Sequence, residues 1–375
     1  MGVSVFRSEE PLQLKYGGVL PELEVAYETW GELNEERDNA VIISAGLSAA
    51  SHAKSHPGNK QAGWWEKFVG PGCAVDTDKY FVICTNNLGG CHGSTGPSSI
   101  NPMTGMPYGS SFPMISIEDM VRAHFLLLDH LGIDKVYCTV GSSLGGMLSL
   151  TAAVLFPERV SRVVSISAAV SSHPTSIAMR YLQRRAIMTD PNWNNGHYYN
   201  STYPKNGMKL AREIATLTYR SGPEWEQRFN RKRIQTNEQI PSINPTFLIE
   251  SYLDYQGEAG CMKLDPNSLI YVSKAMDLFD LGESFGSLRG ALQNVVCPVM
   301  VIGVQTDLLF PVWQQREMAT VLQEAGNNAV TYYELNSIYG HDTFLLDLNG
   351  VGAGIKGFLE TELVEKGRAR KQKDH

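Results

Sequence analysis

The residues Val136-Tyr-Cys-Thr-Val-Gly-Ser-Ser-Leu-Gly145 decide the fold. The first five form a short, largely apolar run, as in a strand buried on both faces of a parallel sheet. Gly141-Ser-Ser-Leu-Gly145 fits the pattern G-x-S-x-G, and residues 144–155 read as a helix. The pentapeptide alone is weak evidence. A strand before it and a helix after it supply the context in which the pattern presents a nucleophilic serine. Small residues are needed because the turn is sharp and the serine backbone is strained. Ser143 would project its hydroxyl where the helix N-terminus faces a developing oxyanion.

The same alternation continues outward. Ala40-Val-Ile-Ile-Ser44, Tyr80-Phe-Val-Ile-Cys84 and Val163-Val-Ser-Ile-Ser167 are short apolar runs. Ser116-Ile-Glu-Asp119 reads as the N-cap of a helix, with Met120, His124, Leu127 and Leu128 at helical spacing. Residues 22–30 alternate as a strand does, and Gly17-Gly18 predicts a hairpin pairing them with residues 12–16. Strand and helix in alternation give an α/β fold on a mostly parallel, doubly wound sheet. The alternation stops after Ala169. Residues 173–283 are mainly helical, over 176–189, 208–219, 245–253 and 269–278. Strands return at 299–303 and 329–335, with helices near 313–325 and 354–363. The expected organisation is a core of residues 1–172 and 284–375, with 173–283 inserted as a helical lid.

A serine hydroxyl needs a base, and the base an orienting carboxylate, in the chain order Ser, Asp or Glu, His. His341 lies in Ser337-Ile-Tyr-Gly-His-Asp342, just past the strand 329–335, where the base should stand. His197 falls inside the insertion and His375 at the terminus. Asp307 follows the strand 299–303, whereas Asp277 and Asp280 lie in a helical pattern before it. The plain alternatives are a surface-loop histidine and a capping aspartate. Of the two oxyanion N–H groups, one should be that of Leu144. The other should come from Ser44-Ala-Gly-Leu-Ser-Ala49, with Leu47 the candidate and a helix N-cap at Ser48 the alternative.

Composition narrows the class. Hydrophobic residues are 43% of the 375 and charged residues 19%, which excludes a disordered chain. A net charge of −7 disfavours nucleic-acid binding. No apolar run is long enough to cross a membrane. The N-terminus matches neither a secretory signal nor a myristoylation site. The basic end from Arg368 to His375 reads as a frayed tail. The cysteines form no C-x-x-C pair, so no structural zinc site is expected, and free thiols imply a reducing compartment, the cytoplasm. The basic cluster Arg228, Arg231, Lys232 and Arg233 reads either as a solvated loop or as a contact for coenzyme A phosphates.

Several longer motifs carry a resemblance. Gly63-Trp-Trp-Glu-Lys-Phe-Val-Gly-Pro-Gly72, Asp76-Thr-Asp78, Gly89-Gly-Cys-His-Gly-Ser-Thr-Gly-Pro-Ser-Ser99 and Tyr339-Gly-His-Asp-Thr-Phe344 resemble the homoserine O-acetyltransferase family, from about residue 10 to 362. The resemblance implies an α/β-hydrolase fold and an enzyme that acylates amino-acid hydroxyls from acetyl-CoA or succinyl-CoA, with no further cofactor. It places Ser143, Asp307 and His341 on the family's triad, and Leu47 and Leu144 on its oxyanion donors. It places the carboxylate-binding arginine on Arg184, in Gln183-Arg-Arg-Ala-Ile187, and the group holding the substrate ammonium on Asp342. The loop Ala45-Gly46-Leu47-Ser48-Ala49 departs from the homoserine members and is similar to the serine O-acyltransferase and O-succinyltransferase branch. Gly46, Ser48 and Ala49 are thereby the specificity loop. Arg180, one helical turn before Arg184, is a candidate for the free carboxylate of a succinyl group. The implied partners are small molecules and a second copy of the chain through the lid. A homoserine acetyltransferase and a plain serine hydrolase remain as alternatives; a non-catalytic binding protein should have lost Ser143 or His341.

Overall fold

A computed structural model of the chain describes residues 2–234, 243 and 245–361. Its centre is an eight-stranded sheet: β1 (Ser4–Ser8), β2 (Leu23–Trp30), β3 (Ala40–Ser44), β4 (Phe81–Thr85), β5 (Cys138–Ser142), β6 (Val163–Ile166), β7 (Val299–Val304) and β8 (Val330–Leu335). The spatial order is β1-β2-β4-β3-β5-β6-β7-β8. β1 and β2 pair antiparallel, as do β2 and β4, and every other neighbouring pair is parallel. Every residue of β3, β5, β6 and β7 is buried, which is why their sequences are continuous runs rather than alternations. Alternate residues still serve opposite faces. Val299 and Val301 join the cluster under the helices α1 (Ile117–His130), α2 (Leu144–Leu155) and α8 (Val312–Glu324). Met300, Ile302 and Val304 join the cluster on the other face, with Trp65, Phe68 and the helix α9 (Ala353–Glu360).

Ser116 caps α1 as its sequence implies: Asp119 N–H donates to Ser116 Oγ, and Ser116 N–H donates to Asp119 Oδ2. The hairpin expected for residues 22–30 is different. Gly17, at φ +87°, turns the chain so tightly that Leu12–Gln13 pairs with Val19–Leu20 in a separate two-stranded ribbon. β2 pairs instead with β1, whose single buried residue, Phe6, leaves little apolar signal.

Between β6 and β7 the chain forms α3 (Pro174–Met188), α4 (Lys205–Tyr219), α5 (Gly222–Arg228), α6 (Leu248–Gly260) and α7 (Pro266–Asp277). α3 packs on α4 and α7, and α4 on α6. The helix expected at 245–253 starts three residues later, and α5 had no counterpart in the sequence reading. The last residues of the helix expected at 354–363, the tail from Arg368 and His375 lie outside the described residues. Among the described residues no helix is long and apolar enough to cross a membrane.

Candidate active site

The loops that follow β3, β5, β7 and β8 meet at the carboxyl ends of the parallel strands, where open α/β sheets receive ligands. Ser143 ends β5 and starts α2 with φ 59° and ψ −125°, a strained backbone for a residue with a side chain. Three glycines permit it. A Cβ on Gly141 would lie 2.1 Å from the Gly145 carbonyl oxygen, one on Gly145 would lie 2.0 Å from that of Ser44, and one on Gly146 would lie 2.6 Å from Ala168 Cβ.

His341 stands on a short turn after β8, and Asp307 on the loop after β7. His341 Nδ1 lies 2.7 Å from Asp307 Oδ2. Asp307 Oδ1 accepts from the N–H groups of Leu309 and Phe310, at 2.9 and 2.8 Å, so both carboxylate oxygens are engaged. Both side chains are buried, and the His341 ring stacks on Phe310 at 5.2 Å. Thr306 Oγ1 donates to the Ser337 carbonyl and accepts from Gly340 N–H, which fixes the histidine turn to the aspartate loop. Ser143 and His341 line one cavity of about 170 Å³. No hydrogen bond joins Ser143 Oγ to His341 among the described residues. The N–H groups of Leu47 and Leu144 have no hydrogen-bond partner there either. Gly46, Leu47, Ser48 and Ala49 form part of the same wall.

One cationic position differs from the reading by resemblance. Arg184 does not line the Ser143 cavity. It donates to Asp277 and to Ser273 Oγ and borders a separate groove with Tyr181, Arg185 and Lys274. One helical turn displaces it by about 6 Å along α3 from Arg180, enough to carry it past the cavity. Arg180 does line the cavity. Its Nε donates to Asp277 Oδ1 at 2.6 Å and one Nη to Ser172 Oγ at 2.7 Å, while Nη1 is buried without a partner. Asp342 also lines the cavity, and burial raises its carboxyl above the usual range against the opposing charge of Arg220. Arg220, at the end of α4, places Nη2 3.3 Å from Asp342 Oδ2 and donates from Nη1 to Glu224. The guanidinium beside Asp342 is therefore that of Arg220, which the sequence reading missed. It stands in Thr218-Tyr-Arg-Ser221, at the end of a helix far in sequence from the histidine turn, so spacing alone does not connect the two.

None of Arg228, Arg231, Lys232 and Arg233 lines the Ser143 cavity. Arg228 lies over Tyr252 and pairs with Glu224, and Arg231 and Arg233 lie over Phe247. Elsewhere, Glu28, His52 and His56 bring three metal-ligand atoms within 4.8 Å of one another.

Residues 39–347 match the family described as alpha/beta hydrolase fold. The chain is 51% identical to a serine O-succinyltransferase of Emericella nidulans, over 95% of this chain and 81% of that protein. Among solved structures, homoserine O-acetyltransferase from Bacillus anthracis superposes with a TM-score of 0.89 at 30% identity, covering 96% of this chain and 99% of that one. Esterase E22 superposes with a TM-score of 0.87 at 29% identity and the same coverage. The chain belongs to the alpha/beta hydrolase fold family and, within it, to the amino-acid O-acyltransferases.

Proposed function

We propose that this acyltransferase moves a succinyl group from succinyl-CoA to the hydroxyl of L-serine, in two half-reactions at Ser143. In the first, His341 takes the Ser143 proton as Oγ attacks the thioester carbonyl. The C–S bond breaks, and the proton leaves with the coenzyme A thiolate. In the second, the serine hydroxyl attacks the acyl-enzyme and gives its proton to His341. The Ser143 Oγ–acyl bond breaks, and that oxygen regains the proton. Asp307 orients the imidazole, and the N–H groups of Leu47 and Leu144 stabilise both oxyanions. Acyl-CoA is a co-substrate, and no step calls on a metal.

The partnerless Nη1 of Arg180 carries the choice of donor. Arg180 and Arg184 share the single carboxylate of Asp277, which leaves one buried positive charge at the nucleophile's cavity for an anion, and a succinyl carboxylate provides one where acetyl does not. Asp342, in the cavity wall, then takes the ammonium of the amino acid, and Arg220, paired with it from behind, holds the Asp342 carboxylate in place. The measurement that tests this is kcat/KM for succinyl-CoA and acetyl-CoA, each with L-serine and L-homoserine. Preference for acetyl-CoA with homoserine moves the chain to the homoserine O-acetyltransferases. Coenzyme A release that is no faster with an amino acid than without one makes it a hydrolase. The esterase E22 likeness shows that backbone shape alone does not separate transfer from hydrolysis.

The product belongs to amino-acid biosynthesis, and O-acylated serine is the activated form from which a sulfur nucleophile makes cysteine. The six thiols are all free, which supports a reducing compartment, the cytoplasm. A homodimer through the helical segment is supported by exposed Tyr181 and Leu182 on α3, Leu210 and Leu217 on α4, and Tyr255 on α6. Sedimentation at the monomer mass would overturn it.

A further inference from the structure

Glu28, on β2 opposite Cys84 of β4, is 2% exposed. Its Oε2 lies 2.7 Å from both His52 Nδ1 and His56 Nε2, and its Oε1 accepts from Ser51 Oγ at 3.0 Å. The trio has the donors of a divalent-cation site, yet its hydrogen bonds assign the nitrogens otherwise. Gly58 N–H donates to His56 Nδ1 at 3.2 Å, so a neutral His56 carries its proton on Nε2 and keeps no lone pair there for a metal. His52 Nε2 lies 2.8 Å from the Gln61 carbonyl, which only accepts, so that nitrogen is protonated as well. His52 Nδ1 lies 2.7 Å from Glu28 Oε2 and 3.3 Å from Asn59 Nδ2, so the ring nitrogens of His52 and His56 are all spent on hydrogen bonds, and Glu28 and His52 form a tied pair.

The pair sits at the root of the loop that carries Leu47. Ser51 N–H donates to Asn86 Oδ1 at 2.7 Å, and Asn86 Nδ2 donates back to Ser51 Oγ at 3.1 Å. Trp64 Nε1 donates to the Ala50 carbonyl at 2.8 Å, and Asn87 Nδ2 to the Ala45 carbonyl at 3.0 Å. The segment is tied at both ends, and the Leu47 N–H hangs between the ties.

We propose that Glu28 is a positioning residue for the oxyanion loop: it holds the loop through Ser51, and His52 and His56 hold its other carboxylate oxygen. The groups that face His52 are Glu28, His56 and Glu66, with Cys84 across the strand from Glu28. Burial lowers the proton affinity of His52. The hydrogen bonds to Glu28 and the Gln61 carbonyl and the charges of Glu28 and Glu66 outweigh this and leave it raised. The proposal rests on Ser143 as nucleophile.

The test is phosphonylation of Ser143 by a p-nitrophenyl alkylphosphonate, which needs the oxyanion donors but neither acyl-CoA nor amino acid. Ser143 Oγ bonds phosphorus, p-nitrophenolate leaves, and the hydroxyl proton passes to His341. In Glu28→Gln and His52→Gln the maximal rate should fall about 10- to 100-fold, as for a misplaced donor. The half-saturating concentration should change less than about 2-fold. If Glu28→Gln does not fold by circular dichroism, His52→Gln carries the test. Wild-type rates in the variants, or a loss confined to half-saturation, overturns the proposal. A wild-type Ser143 inert to the probe overturns the nucleophile reading as well, whereas a different preferred donor or acceptor overturns only the assigned substrates.

Discussion

At the scale of single residues, the strained Ser143 gives the first expectation. Ser143→Ala should lose at least about 10³-fold in kcat, since only binding and oxyanion effects survive. The wild type incubated with acyl-CoA alone should gain one acyl mass on the Ser143 peptide. Arg180 gives the second. Arg180→Leu should cut succinyl-CoA use about 10- to 100-fold, the worth of a charged hydrogen bond of ~1.5–3 kcal/mol, with acetyl-CoA use little changed. Equal losses with both donors would remove Arg180 from donor recognition. Ser143, Asp307 and His341 could be placed from sequence because each follows a strand that its own apolar run announces. Arginines were harder. Arg180 and Arg184 share a helix face and even a carboxylate, Asp277, and only the cavity wall distinguishes them.

Elements bring distant side chains together, and here the end of α4 reaches the histidine turn. Ser221 Oγ donates to the Ile338 carbonyl, Arg220 pairs with Asp342, and a Cβ on Gly340 would lie 2.9 Å from the Tyr219 carbonyl oxygen. Arg220→Met should therefore raise KM for the amino acid about 10-fold or more, for a lost charged hydrogen bond. It should leave the coenzyme A burst nearly intact. A burst that falls with overall turnover would instead make Arg220 a prop for His341. At the other junction, Gly145→Ala drives a methyl into the Ser44 carbonyl. It should destabilise the fold by about 1–3 kcal/mol or more in urea unfolding. The central strands were legible because full burial writes itself as unbroken apolar runs. β1 was not, because an edge strand with one buried residue has no such pattern, and α5 was not, because seven residues hold too few turns to show a period.

For the molecule as a whole, acid is the condition that separates its charges. Arg316 above all, with Tyr332 and Gln305, holds Glu334 at about 2 against partial burial. Burial would raise Glu66, but Ser55, the Gly63 N–H and Lys54 hold it at about 2. A carboxylate lowered in the folded state stabilises above its unfolded pKa, and that contribution disappears as pH falls through the folded value. The urea midpoint should therefore drop between about pH 4.5 and pH 2, and less steeply in Glu66→Gln and Glu334→Gln. An unchanged slope would mean that solvent screens both carboxylates. The parallel order of the strands has a further effect, on time. The nucleophile and the imidazole that activates it lie roughly 200 residues apart, and a ribosome adds about 5–20 residues per second. The growing chain thus carries Ser143 for roughly 10–40 s before His341 exists, and throughout that interval its hydroxyl is no more reactive than that of any other serine.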